Sequence, residues 1–256
     1  MYKVDYHIHS NFSDGQPSYK EIIDKAKKFK MDCIAITDHF DLYDPNPEVN
    51  KLKEEDLLLF FRRVKEYADL RNQRVLCGIE TCTDFNGNLR LSDKVFNQCE
   101  VIITSPHYVE YEEEIIPGCY FDKNFWERYK EKVLNMAAKE GDILGHPEGY
   151  LPYGKMLIPN STTYEERQEL SRKISERYFD DEYLNKLIQN LKKSGKAYEL
   201  HSITSTPREC VIEKLVKNRV SISFGSDAHV LEAACNTEWA AKMLKRFEGE
   251  ELQFLK

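Results

Sequence analysis

A chain of 256 residues with 41% hydrophobic and 32% charged residues, a net charge of −7 and no low-complexity tract is globular and large enough for a substantial core. The acidic balance argues against a nucleic-acid surface, which needs a dense Lys/Arg footprint. Strand-sized apolar runs exclude a membrane span, and the N-terminus lacks a signal-peptide core, so a cytoplasmic protein is expected.

In chain order, apolar runs and amphipathic periods predict a strand at 4–9, a helix at 19–29, a strand at 33–38, a helix at 56–70 and strands at 75–80 and 101–105. A helix at 125–139 and a strand at 143–146 follow, then helix 181–193, strand 197–201, helix 208–217, strand 220–226 and helix 231–247. Seven strands alternating with helices imply a parallel α/β sheet buried on both faces, closed as a (βα) barrel. No linker divides the chain, so one domain over 1–256 is expected. Between 147 and about 180, Pro147, Gly149, Pro152, Gly154 and Pro159 break periodicity, and a connection this long at a barrel mouth reads as a lid or substrate insertion. Tyr150, Tyr153, Lys155, Arg167, Arg172 and Arg177 in or after it are candidates to touch a phosphate or a flat group. The plainer alternative is a partly helical, solvated insertion. The seven cysteines form no Cys-x-x-Cys pair and read mostly as small buried hydrophobes.

Polar residues fall at the strand ends. His7 and His9, Asp38 and His39, Glu80, His107, His146, Glu199 and His201, and Asp227 and His229 close strands or follow them directly, and these include all seven histidines. Residues two apart in a strand share a side, so His7 with His9, and Asp227 with His229, have the spacing of metal-ligand pairs. In a βα barrel those ends converge on one mouth, where active sites sit.

The segments His7-Ile8-His9-Ser10, Ser13-Asp14-Gly15, Ile36-Thr37-Asp38-His39, Gly78-Ile79-Glu80, Ser105-Pro106-His107, Gly145-His146-Pro147 and Gly225-Ser226-Asp227-Ala228-His229 together resemble the PHP (polymerase and histidinol phosphatase) superfamily over about residues 1–235. That resemblance implies a distorted (βα)7 barrel with two or three divalent ions at the carboxyl ends of the strands, and phosphoester hydrolysis. Carried over by position, it implies one ion on His7, His9, Glu80 and Asp227, a second on Glu80, His107 and His146, and a third on Asp14, His39 and His229. Glu80 would then bridge two ions. Some members have histidine where this chain has Asp14.

Six histidines and three carboxylates suit Mn, Fe or Zn better than Mg or Ca. Three such ions would outweigh the charge of Asp14, Glu80 and Asp227, giving a phosphate-attracting mouth and a bridging hydroxide as nucleophile. No Gly-x-Ser-x-Gly elbow, Walker loop or dinucleotide fingerprint is present. Asp38 reads as a hydrogen-bond partner of the ligands. His201, which the ligand pattern leaves unused, is a candidate substrate contact or general acid, and Arg208 and Arg177 are further candidate substrate contacts. Chain length and layout resemble the histidinol-phosphatase branch, which makes a small phosphorylated substrate, L-histidinol phosphate by name, the first expectation. A PHP phosphodiesterase or 3'-5' exonuclease and a non-catalytic metal-binding module are the competing readings. The residues do not set the oligomeric state.

Overall fold

The computed structural model describes residues 3–159, 161–247 and 249–255. Its elements are β1 (Val4–Asp5), α1 (Tyr19–Phe29), β2 (Cys33–His39), α2 (Pro47–Asn50), α3 (Glu54–Arg71), β3 (Val75–Thr81), α4 (Asp93–Phe96), β4 (Val101–Thr104), α5 (Lys123–Ala137), β5 (Ile143–Leu144), α6 (Tyr164–Tyr178), α7 (Asp181–Ser194), β6 (Ala197–His201), α8 (Glu209–Lys217), β7 (Ser221–Gly225), α9 (Glu238–Leu244) and β8 (Gln253–Phe254).

The strands form one sheet in sequence order, every neighbouring pair parallel. It curls until the segment after β1 meets the segment after β7. There the Tyr6 N–H donates to Phe224 O at 2.8 Å, Asp227 N–H to His7 O at 2.8 Å and His9 N–H to Ala228 O at 3.0 Å. Ile8 and Ala228 pair in parallel at this seam. The result is the expected distorted TIM-like barrel, with one addition: β8 pairs with the first residues of β7, Ser221 and Ile222. One edge of β7 therefore carries β8 at its start and the 6–9 segment at its end.

Strand interiors are apolar because helices cover the outer face and packed side chains fill the inner one; six of the seven β2 residues are buried. The flanking helices follow ordinary end chemistry. In α1, Ser18 and Glu21 form a capping box, and α7 starts on an Asp180 cap and stops at Gly195 in the left-handed region (φ 77°). Phe125, Trp126, Tyr129, Val133 and Met136 of α5 pack against α6 and α7, and each large apolar side chain buried this way stabilises by about 1.5–3 kcal/mol.

The 147–180 connection, read as a lid or as a partly helical insertion, contains a helix: a Thr163–Glu166 capping box starts α6, whose buried face is Ser171, Ile174, Ser175 and Tyr178. One expectation needs correction. The last helix does not start at 231. Residues 231–235 form turns and α9 starts only at Glu238, because the carbonyls of Leu231 and Glu232 accept from Lys25 Nζ (2.6 and 2.8 Å) and the Cys235 N–H donates to Asp5 Oδ2 (2.9 Å). No helix among the described residues is long and apolar enough to cross a membrane.

Candidate metal centre

The seam places His7 and His9 on the same side of an extended segment, with the Ile8 side chain buried in the core between them. Their Nε2 atoms lie 3.0 Å apart. Asp227 arrives from the opposite side of the seam, its Oδ1 3.0 Å from His9 Nε2 and 3.4 Å from His7 Nε2. Glu80, at the end of β3, stands at the centre. Its Oε1 is 2.8 Å from His146 Nε2, 3.1 Å from His107 Nε2 and 3.4 Å from His7 Nε2. Its Oε2 is 3.0 Å from His39 Nδ1 and 3.5 Å from His9 Nε2. Asp14, on the loop after β1, lies 3.3 Å from His229 Nε2, 3.5 Å from His39 Nε2 and 3.7 Å from His9 Nδ1.

All nine residues singled out by position thus meet at one mouth. Their donor atoms gather as His7, His9 and Asp227; as His7, Glu80 and His146; as His39, Glu80 and His107; and as His9, Asp14, His39 and His229. This partition differs from the one carried over by position, since His39 sits with Glu80 as well as with Asp14, and His9 faces both Asp227 and Asp14. A fifth group, His146, Glu199 and His201, was not foreseen as a set.

The cluster fits cations. Glu80 Oε2, Asp227 Oδ1 and His9 Nδ1 are buried and lack an aligned hydrogen bond, although imidazole nitrogens stand near both carboxylate oxygens. A buried carboxylate oxygen left unpaired is costly, and a divalent ion among nitrogen and oxygen donors would satisfy all three atoms. Charge has the same sense. Burial alone would raise the Glu80 and Asp227 carboxyls, but the surrounding imidazoles, His107, His7 and His39 for Glu80 and His7, His201 and His9 for Asp227, hold both well below the usual carboxylate range. Burial and the neighbouring His39 push His9 down to about 4. Burial would also lower His7, yet the carboxylates of Glu199, Glu80 and Asp227 outweigh it and raise His7 well above its ordinary value.

A family model for the PHP domain matches residues 5–201. The chain belongs to the PHP domain family. The matched span contains His7, His9, Asp14, His39, Glu80, His107 and His146, whereas Asp227 and His229 lie beyond it. Among curated proteins, the DNA polymerase/3'-5' exonuclease PolX of Bacillus subtilis is 26% identical over 234 residues. The alignment covers 90% of this PHP chain, which spans only 35% of that relative's length. Among solved structures, histidinol phosphate phosphatase from Lactococcus lactis, complexed with zinc, L-histidinol and phosphate, superimposes with a TM-score of 0.66 at 19% identity, covering 98% of this chain and 95% of that one. A putative histidinol phosphatase from Listeria monocytogenes gives 0.66 at 15% identity, over 90% and 97%. At these identities the two structures establish likeness of fold.

Around the PHP cluster a further layer of residues aims the donors. Glu199 accepts from His7 Nδ1 at 2.7 Å and, with its other oxygen, from the His146 N–H at 2.9 Å. Asp227 Oδ2 accepts from the Tyr150 hydroxyl at 2.8 Å and lies 3.1 Å from His201 Nε2, which leaves Oδ1 facing the cluster. Asp38 accepts from Ser10 N–H, Ser10 Oγ and Ser13 Oγ at 2.7–2.8 Å, fixing the loop that carries Asp14. Asp5 accepts from the backbone of Ser226 and Cys235, both at 2.9 Å, and burial raises its carboxyl to about 6. His146 (φ 27°), Tyr150 (φ 56°) and Asp227 (φ 50°) all occupy the left-handed region, a strain that recurs at functional sites.

The candidate substrate contacts are distributed unevenly. His201 borders the cluster, but its Nδ1 is already 2.5 Å from Thr204 Oγ1, so neither ring nitrogen is free in this arrangement. Arg208 lies further out, paired through Nη2 and Nε with the carboxylate of buried Glu148. Arg177 is not brought to the cluster; its guanidinium lies over the rings of Phe121 and Tyr178. Of the other insertion residues, Tyr150 reaches Asp227, Tyr153 donates to Pro106 O, Arg167 donates to Tyr150 O and Arg172 pairs with Glu169 and Glu176. The roles of Glu199 and Tyr150 were not read from sequence, because each acts through a partner brought near only by barrel closure, and Glu148 was missed because its partner Arg208 follows the next strand. Glu199 carried the one usable signal, an acidic residue on a strand face that also ends in His201.

Proposed function

We propose that this chain is a metal-dependent phosphomonoesterase acting on a small phosphate ester, with L-histidinol phosphate as its substrate. The observation that carries the reading is Glu80, a buried carboxylate with five imidazoles within 3.5 Å of its two oxygens. His7, His9, His39, His107, His146, His229, Asp14, Glu80 and Asp227 would hold two or three divalent ions of the Mn, Fe or Zn type. When bound, such ions supply positive charge for the phosphate and acidify a water toward hydroxide.

The chain's own groups do the remaining work. Glu199 fixes the ring of His7, while Tyr150 and His201 fix Asp227, so the donor atoms are set before any ligand arrives. Asp38 anchors the Asp14 loop. In the overall reaction a water oxygen bonds to phosphorus, the bond between phosphorus and the ester oxygen breaks, and the departing alkoxide takes up the proton that water gives up. The products are the free alcohol and inorganic phosphate. His201 acts as a holder of Asp227 in this scheme.

The likeness to the PolX protein favours one second reading, a phosphodiesterase or 3'-5' exonuclease on the same cluster. The net charge of −7 speaks against a nucleic-acid partner. The deciding experiment is to purify the protein without chelators, measure bound Mn, Fe and Zn per chain, and assay histidinol phosphate and a short single-stranded oligonucleotide in parallel. Phosphate release from histidinol phosphate that EDTA abolishes and Mn²⁺ restores is the expected result. Nucleotide release alone would move the assignment to the nuclease, and absence of bound metal with no activity on restoring Mn²⁺ would overturn the catalytic reading.

A further inference from the structure

Beside the cluster, on the side where β5 and β6 end, lies a cavity of about 590 Å³ walled by α6, the start of α8 and the loops that follow β5 and β6. Two of its lining residues also belong to the edge of the metal centre. Tyr150 donates its hydroxyl to Asp227 Oδ2 at 2.8 Å, with its ring centroid 5.5 Å from that of His146 and 5.2 Å from that of His201. Thr204 Oγ1 is 2.5 Å from His201 Nδ1. Tyr150 thus borders both the donor atoms and the cavity.

The cavity is bounded on its outer side, where the Tyr164 hydroxyl of α6 donates to Ile203 O and ties the helix to the loop after β6. The charges on its wall are largely internal: Arg208 pairs with Glu148, Arg172 with Glu176, and Glu209 with Arg246. Arg167 is held by the carbonyls of Tyr150 and Pro152, and beside these paired charges the wall carries tyrosine rings, Leu151, Gln168, Cys210 and hydroxyls of serine and threonine. The volume is that of a cleft for one small ligand.

We propose that this cavity is the subsite for the alcohol half of the phosphomonoester, and that it takes a compact organic alcohol with apolar faces and a hydrogen-bonding edge. The proposal rests on the phosphomonoesterase reading. With the phosphate drawn to the histidine cluster, the ester oxygen lies one bond from phosphorus, and the residues common to both spaces, Tyr150 and Thr204, set the direction in which the rest of the molecule extends. The leaving alcohol is thus selected by α6 and by the loop after β6, elements that contribute none of the nine candidate metal donors.

Exposed Cys210, in the first turn of α8, lines the cavity, while exposed Cys119 lies before α5 and serves as an internal reference. On Mn²⁺-loaded protein, alkylation by N-ethylmaleimide is followed at each thiol by peptide mass spectrometry, with and without L-histidinol. In parallel, kcat/KM is measured for histidinol phosphate, p-nitrophenyl phosphate and glycerol 1-phosphate on wild type and Cys210→Trp. The expected result is at least threefold slower alkylation of Cys210 alone, and a loss of tenfold or more in preference for the two larger esters over glycerol 1-phosphate in Cys210→Trp. Phosphate release with an unchanged preference, or equal slowing at both thiols, would overturn the subsite assignment. No release from any ester by the wild-type protein would overturn the phosphomonoesterase reading with it.

Discussion

His7 Nδ1 donates to Glu199 Oε1 at 2.7 Å, a contact between residues 192 apart in sequence and fully buried. Because a carboxylate only accepts, this bond places a proton on Nδ1 and turns Nε2 toward His9, Glu80 and Asp227. One acidic side chain outside the donor set thereby fixes which atom of His7 faces the cluster.

Gly225 tests that arrangement from the backbone. A methyl group built on this glycine would collide with Glu199 Oε1 and approach the His7 Cβ to 2.8 Å. Gly225→Ala is expected to cost about 1–3 kcal/mol of stability through overpacking. Displacing Glu199 should also lower kcat/KM about 10- to 100-fold, the usual effect of losing a donor's hydrogen-bond partner. Urea unfolding together with phosphate-release kinetics checks both, and wild-type values in each would refute the role given to Glu199.

Replacing the central carboxylate should be far more damaging. Glu80→Gln keeps the shape but removes the charge shared by His146, His107 and His39, and kcat/KM should fall about a thousandfold, roughly 4 kcal/mol of transition-state stabilisation. Metal content measured by elemental analysis should fall with it. A variant that keeps full metal and full activity would show that Glu80 is not the bridge.

Tyr150→Phe removes only the hydroxyl that holds Asp227 Oδ2. Metal affinity is expected to weaken about 10- to 100-fold while the fold persists, as read by calorimetric titration with Mn²⁺ and a thermal melt. Unchanged affinity would place Tyr150 on the cavity wall without influence on Asp227.

Metal uptake should depend on pH with a definite sign. Burial would lower His229, but its hydrogen bond to Asp14 and the charges of Asp227 and Asp14 raise it to about 9, so its ring stays protonated across the neutral range. An ion binding there displaces that proton, so affinity should climb by about tenfold per pH unit per proton until pH reaches about 9, then level off. His9, held near 4, contributes nothing to this rise because it is already neutral. Titrations from pH 6 to 9, in buffers of different ionisation enthalpy to count released protons, measure the slope directly. A flat profile would contradict this assignment of charge.

The strand and helix alternation was legible because parallel strands buried on both faces are read as apolar runs, and the ladder Ala197–His201 and helix Tyr19–Phe29 fall where their patterns place them. The donors were legible for the same reason, since polar residues closing apolar strands stand out. Helix α6 was obscured because two of its four buried positions, Ser171 and Ser175, are polar and leave no apolar stripe. At 231–235 the pattern misled: Leu231, Ala234 and Cys235 have helical spacing, but Cys235 takes φ 66° and its N–H goes to Asp5. The pairing of β8 with two residues of β7 is too short to leave a periodic signature.

The seam between the 6–9 and 224–228 segments would give a bound ion a mechanical part. His7 and His9 lie on one side of it and Asp227 on the other, so an ion held by all three would act as a clasp across the line where the chain's early and late portions meet. Opening the barrel there would require the clasp to release first. At a free metal concentration a hundred times its dissociation constant, the clasp would add about 2.7 kcal/mol to the closed form, and the availability of metal would then set what fraction of the chains has the barrel shut.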